Sequence, residues 1–272
     1  MDLTTALGLM FGSVLIVIVM VLDGGSPAEL FAVPQAILLI IGGSLASTVI
    51  TVPMEIAMKL PKYVTIAFMS THFDTAGTIE MLIKMTDRAR REGLLALEED
   101  SKNIKDAFTR KAIMLLVDGV DGSQVRVIME TTIEQMSDRH AKGYGFFASA
   151  GGFAPTFGII GTVMGLMNAL KMLDNPTKLA ESIAAAFLAT LWGLLMANLV
   201  YLPIGKKLKA KSEEEVNYRV MIMEGVLALQ AGENPRVLRE KLGAYLAPVV
   251  EGKAKAEKID KSKAPAGQTA KA

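Results

Sequence analysis

The 272-residue chain carries 29 basic and 28 acidic side chains, a net charge of +1 that lacks the strongly basic surface on which nucleic-acid binding leans. It contains no cysteine, which excludes disulfides and thiolate metal sites. Apolar residues make up 51% of it and fall in long uninterrupted blocks, which points away from a soluble globular domain and toward a membrane protein.

The first block, Leu3–Leu22, is free of charge and long enough to cross a bilayer, whose interior forces every backbone polar group to find its partner within the helix. The opening residues lack the basic region of a secretory signal, so this block is expected to be a retained anchor. A second span is expected over residues 31–52, with Pro34 in its first turn, where a missing N–H costs little. Together they form a hairpin, residues 1–52.

Residues 53–142 form a polar insertion whose patterning is helical throughout. One helix covers Ile79, Leu82, Ile83 and Thr86. The run from Asp87 to Asp100 groups charges of both signs around a short apolar patch. It reads either as a solvated face with local ion pairs or as a docking surface for a charged partner. A later helix shows a face of Val125, Ile128, Met129, Thr132, Ile133 and Met136. Ser123 is its expected N-cap, after the turn Asp121-Gly122. His72 and His140 stand alone, without a second ligand at metal spacing, and are assigned surface or packing roles.

The third span lies within residues 143–170 and the fourth within 182–205, giving a second hairpin over residues 143–205. Pro155, Gly158, Thr162 and Gly165 share a face of the third, and Pro155 leaves the carbonyl of Gly151 without its usual donor. Thr190, Gly193 and Ala197 share a face of the fourth, with Asn198 beside it and Pro203 near its end. Small residues of this kind serve close helix packing, while the hydroxyls and freed carbonyls also suit a path for a small cation. None of the four spans contains Asp, Glu, Lys, Arg or His, so a proton or sodium relay here needs a carboxylate from a partner helix. Beyond them, Val216, Val220, Met223 and Leu227 mark a helix, and Asn234-Pro235 opens another, so residues 206–250 read as C-terminal helices. Residues 251–272, rich in Lys and Ala, read as a disordered tail.

Basic residues flanking the spans set the orientation. Lys59, Lys62, Arg139, Lys142, Lys206, Lys207, Lys209 and Lys211 lie on one side and only Lys171 and Lys178 on the other, so both termini and the insertion are expected to be cytoplasmic. The expected fold is an all-α integral membrane protein with four transmembrane helices and a helical cytoplasmic domain between the second and third. No phosphate-binding loop, nucleophile elbow or paired carboxylates is visible, so neither an enzyme nor a cofactor is expected.

Several separated motifs resemble the MotA/PomA subunits of the bacterial flagellar stator. They are Ala154-Pro155, the stretch from Gly158 to Leu166, Ala189-Thr190-Leu191-Trp192-Gly193, and Pro203-Ile204 in the spans. In the polar parts they are Ala89 to Glu98, Asp138-Arg139-His140, and Gly232 to Leu238. The resemblance runs to about Leu246. It implies several copies, thought to be five, around two copies of a MotB/PomB partner whose single membrane helix carries the essential aspartate. Thr162 and Thr190 are then near the ion, and Pro155 and Pro203 match the family's two functionally important prolines. Arg90 and Glu98 match charged residues that engage the rotor protein FliG, with Arg91 and Glu99 as neighbours. Threonine at 162 resembles the sodium-driven members, although Ala189 stands where those look to have a further threonine. Sodium is therefore favoured over the proton as the translocated ion. A bacterial inner-membrane location follows. The alternatives are an ExbB/TolQ-like proton channel subunit, whose three-span plan lacks the first hairpin, and a non-conducting membrane scaffold.

Overall fold

The computed structural model describes residues 2–70 and 72–246, and all regular structure among them is helical. The tail expected over residues 251–272 lies outside the described residues. The described chain forms two compact units. One comprises residues up to 71 together with 137–213, and the other comprises 72–136 together with the residues from 214 on.

The first unit contains the apolar helices. α1 spans Leu3–Leu22 and is capped by Asp2, whose carboxylate accepts from the Thr5 N–H at 3.3 Å. A 3-10 turn, Pro27–Phe31, closed by Ser26 and Glu29 as a reciprocal cap, leads to α2, Pro34–Ile50. α2 is therefore shorter than the expected 31–52. The ring of Pro34 excludes Val33 from helical geometry (φ −121°, ψ 59°), so Phe31, Ala32 and Val33 stay outside the α-helix. Short helices α3 (Met54–Ala57) and α4 (Leu60–Phe68) follow. Two long helices complete the set. α8 runs Gly122–Ala169, and α9 (Pro176–Leu195) continues through a π-helical segment, Met196–Tyr201, into α10, Leu202–Gln230. The polar-to-apolar junctions at residues 142 and 205 lie inside these uninterrupted helices. By length and composition α1, α8 and the α9–α10 helix are long and apolar enough to cross a membrane. α2 is apolar but has 17 residues, about 26 Å at 1.5 Å per residue, slightly short of a ~30 Å hydrocarbon core.

The core of this unit joins Ile40 of α2, Phe146, Ala150 and Ala154 of α8, and Ala197 and Tyr201 of the π segment. Two ties fix α2 and its approach. The Ser44 hydroxyl meets the Tyr201 hydroxyl at 3.3 Å in the buried interior, and Trp192 Nε1 donates to the Leu30 carbonyl at 2.7 Å with Phe31 edge-on to its ring. α1 is different: it has no buried residue along its 20 positions.

The second unit packs α5 (Thr75–Glu92), α6 (Leu97–Lys102) and α7 (Ala107–Val117) with the start of α8, the later part of α10, and α11 (Pro235–Gly243). The expected faces lie inward. Ile79, Leu82, Ile83 and Thr86 are buried, as are Val125, Met129, Ile133 and Met136, with Ile128 and Thr132 at the margin. α10 buries Met223 of its expected stripe and packs Val216, Val220 and Leu227 half-buried against the core, while Met221, Ile222, Val226 and Leu229 are fully buried beside them. A helix surrounded on several sides buries more than one stripe, and each fully buried large aliphatic side chain contributes about 1.5–3 kcal/mol. Asn234 caps α11 by accepting from the Arg236 N–H at 2.9 Å, with Pro235 in the first turn. At α8 the cap is Asp121 rather than Ser123. The Asp121 carboxylate accepts from both the N–H (2.9 Å) and the hydroxyl (2.5 Å) of Ser123, an anionic acceptor displacing a neutral one at a helix start.

Candidate functional site

The apolar parts of α8 and α9 meet along their small residues. A Cβ placed on Gly158 would lie 3.1 Å from the Ala189 carbonyl oxygen and 3.2 Å from the Gly193 Cα. On Gly193 it would lie 2.8 Å from the Ala154 carbonyl oxygen, and on Gly165 2.8 Å from the Ala186 Cβ. Only glycine allows backbones this close, and the closeness brings two hydroxyls together.

Thr162 Oγ1 bonds the Thr190 hydroxyl and also lies 2.9 Å from the Ala186 carbonyl oxygen and 3.1 Å from the Gly158 carbonyl oxygen. Four oxygens thus converge with only two hydroxyl hydrogens among them, leaving lone pairs over for another donor or a small cation. Both threonines are half-buried, and the segments carrying them hold no ionisable side chain over residues 143–170 and 182–205 apart from the buried phenol of Tyr201 and the half-buried phenol of Tyr144. The structure therefore brings Thr162 and Thr190 into contact. Pro155 stands two turns before Thr162 inside unbroken α8, half-buried. Pro203 is elsewhere: it is exposed and lines a cavity beside α1 and α4. Just before it the chain turns from α into π geometry, the Leu202 N–H bonding back five residues to Ala197. Such insertions recur at functional sites. Composition gave no hint of it beyond the proline.

In the second unit, α5 ends at Gly93, whose φ of 86° lets the chain reverse into α6. This reversal presents the charged run on one surface. Arg90 is exposed and has no ion pair among the described residues. Arg91 pairs with Asp87 at 2.7 Å, Glu98 lies 3.9 Å from Lys102, and Glu99 lies 3.7 Å from Arg88. Arg88 is the hub that periodicity did not single out. It also pairs with Glu92 at 2.9 Å and with Asp100 at 2.8 Å, tying α5 to α6, and these carboxylates raise its pKa further above an already high value, the hydrogen bond to Glu92 first. Leu95, at the tip, is 73% exposed, a large apolar side chain in a ring of charge. His72 is exposed, and His140 is half-buried with Nδ1 3.0 Å from the Ser212 hydroxyl. Among the described residues no group of acids and histidines is arranged for a metal ion.

The MotA/TolQ/ExbB proton channel family signature matches residues 100–221. The chain is 40% identical to motility protein A of Bacillus subtilis over 90% of its own length and 91% of that protein's. It is 39% identical to the chemotaxis protein PomA of Vibrio alginolyticus over 90% and 96% of the two lengths. Among solved structures it superposes on a chain of the flagellar MotAB stator complex from Bacillus subtilis. The TM-score is 0.86 at 37% identity, covering 93% of this chain and 99% of the other.

Proposed function

The chain belongs to the family of motility protein A and PomA, and from that premise we propose that it is the wall subunit of a flagellar stator, where cation flow is converted into torque. On this reading α1, α2, the apolar part of α8, and α9 with the π segment make four crossings of the bacterial inner membrane. Both termini and the charged second unit face the cytoplasm, which the excess of flanking Lys and Arg on that side supports. α2, slightly short, crosses with modest thinning of the bilayer. The carboxylate that an ion relay needs comes from the membrane helix of a MotB/PomB-type partner, around which copies of this chain, five by family resemblance, are arranged. Arg90, Arg91, Glu98 and Glu99 meet the rotor protein FliG.

The observation that carries the ion-path reading is the convergence of four oxygens at Thr162 and Thr190 in a segment without acid. Oxygens of this kind replace part of the hydration shell of sodium, so sodium is the proposed ion in preference to the proton. The similarity to motility proteins over 90% of the chain, well beyond the residues 100–221 of the broad family signature, favours a stator over a TolQ- or ExbB-like role. The test is a host lacking its own stator that receives this chain with its partner, its swimming speed measured across sodium concentrations. Speed rising with sodium, and abolished by Thr162→Val, is the expected result. Swimming that ignores sodium and survives Thr162→Val removes the sodium claim, and no swimming with a folded, membrane-inserted chain removes the stator claim.

A further inference from the structure

α1 carries no charge and is mostly apolar, yet none of its residues is fully buried, and it is held at its start and again at Gly12. At its start the Asp2 N–H donates to the Phe68 carbonyl at 2.8 Å and the Asp2 carboxylate takes an ion pair from Lys207 at 2.6 Å, which holds that carboxyl well below the usual range. At Gly12 it touches the π segment, where a Cβ would sit 3.0 Å from Leu199 Cδ2. Between the two points the helix stands away from its neighbours, and a Cβ on Gly8 would meet nothing within 4 Å. The result is a cavity of about 1040 Å³ bounded by α1, α2, α4, α8, the π segment and the start of α10. Leu9, Val64, Phe147 and Leu199 give it an apolar wall. Lys206 and Lys207 close one end, and Pro203 lies on its edge.

We propose that this cavity binds one anionic membrane phospholipid, with acyl chain along the apolar wall and phosphate on Lys206 and Lys207. The proposal rests on the membrane placement given above. The space is a groove open to its surroundings, and on that placement its apolar lining is covered by lipid chains rather than by water, which finds too few polar partners there. The charged end selects the occupant. Asp2 offsets only one of the two lysines, and Lys206 is exposed with no ion pair among the described residues, so a net positive charge remains beside the cavity. Basic pockets at the cytoplasmic ends of spanning helices recognise anionic headgroups. The bound lipid supports the wall formed by the π segment and Pro203, where the helical hydrogen-bond ladder is weakest.

The experiment is native mass spectrometry of the full chain with its partner, purified in mild detergent and supplied with phosphatidylglycerol or phosphatidylcholine. Phosphatidylglycerol is expected to stay bound, one per copy of the chain, with at least tenfold preference over phosphatidylcholine. Lys206→Gln is expected to remove the preference, and Gly8→Leu, which fills the cavity from a position with free space, to remove the binding. Equal retention of both lipids, or retention unchanged in both variants, overturns the proposal. So does a disulfide-linked dimer of Leu9→Cys, a single thiol in a chain without cysteine, because the cavity is then covered by a second copy. Resistance of every variant to carbonate extraction from membranes is scored separately: if it is absent, the membrane reading itself fails.

Discussion

Gly193→Ala tests the contact on which the hydroxyl pair depends. The added Cβ would lie 2.8 Å from the Ala154 carbonyl oxygen and 3.0 Å from the Gly158 Cα, both backbone atoms of α8 that no rotamer change can move. Going from 2.8 Å to the 3.4 Å at which ordinary contact begins requires α8 and α9 to part by about 0.6 Å. Overpacking of this kind costs about 1–3 kcal/mol, offset by about 1 kcal/mol of improved helix propensity. A net loss of up to about 2 kcal/mol lowers the thermal midpoint by about 2–4 °C per kcal/mol for a chain of this size. The same displacement stretches the 2.9 Å approach of Thr162 Oγ1 to the Ala186 carbonyl to about 3.5 Å, outside hydrogen-bonding range, because Thr190 is one turn from Gly193 and Thr162 one turn from Gly158. Purified Gly193→Ala protein is therefore expected to melt earlier and its host to swim slowly or not at all. Gly42→Ala on α2, where an added Cβ meets nothing within 4 Å, serves as the comparison and is expected to melt no earlier than the parent. If Gly193→Ala melts with the parent and supports normal swimming, the tight α8–α9 contact is refuted.

Thr162→Val keeps the volume and removes the hydroxyl. A hydrogen bond between membrane helices is worth about 0.6 kcal/mol on average, so thermal unfolding should hardly change while ion-driven swimming is lost. A large fall in melting temperature instead assigns Thr162 a packing role. Arg88→Gln severs three ion pairs, one within α5 to Glu92 and two, to Glu99 and Asp100, that hold α6 against α5. These pairs are partly exposed and screened, so the unfolding temperature should hardly change, yet swimming torque should drop because Glu99 and Asp100 at the start of α6 are no longer tied to α5. Unaltered torque returns Arg88 to an ordinary surface residue. Leu95→Ser should weaken capture of the isolated rotor protein without altering unfolding, since its side chain already faces solvent. Glu224 joins Lys241 of α11 at 3.1 Å to Arg126 of α8 at 3.0 Å. Burial pushes its carboxyl up, but the hydrogen bonds from Lys241 and Arg126 outweigh this and hold it below the ordinary value of 4.5. The stabilisation is thus complete above the unfolded value and is lost as pH falls through the lowered one. Acid unfolding of Glu224→Gln should start from a stability about 1 kcal/mol lower and lack this part of the decline.

The sequence by itself determined the helical class, the main helices and most of their buried faces. Apolar residues at three- and four-residue spacing can bury only as a helix, and Pro34 and Asn234 carry local signals that act within a turn of themselves. It also made the α8–α9 small-residue face visible, because Gly158, Thr162 and Gly165 fall on one side whatever packs there. What it left open was set by contacts between residues far apart in the chain. Competition between neighbouring acceptors decided the cap at Asp121. Arg88 became a hub only when the Gly93 reversal brought Asp100 back to it. Thr162 and Thr190, 28 positions apart, share hydrogen bonds because two glycine faces close to backbone contact. The two prolines grouped together by sequence have different surroundings, Pro155 half-buried and Pro203 exposed. Pro155 stands on α8 between Ala154 and Gly158, which meet Gly193 of α9, while Pro203 follows the π segment onto the wall of the cavity beside α1. Periodicity fixes which side of a helix a residue occupies, and only the packed structure decides what that side meets.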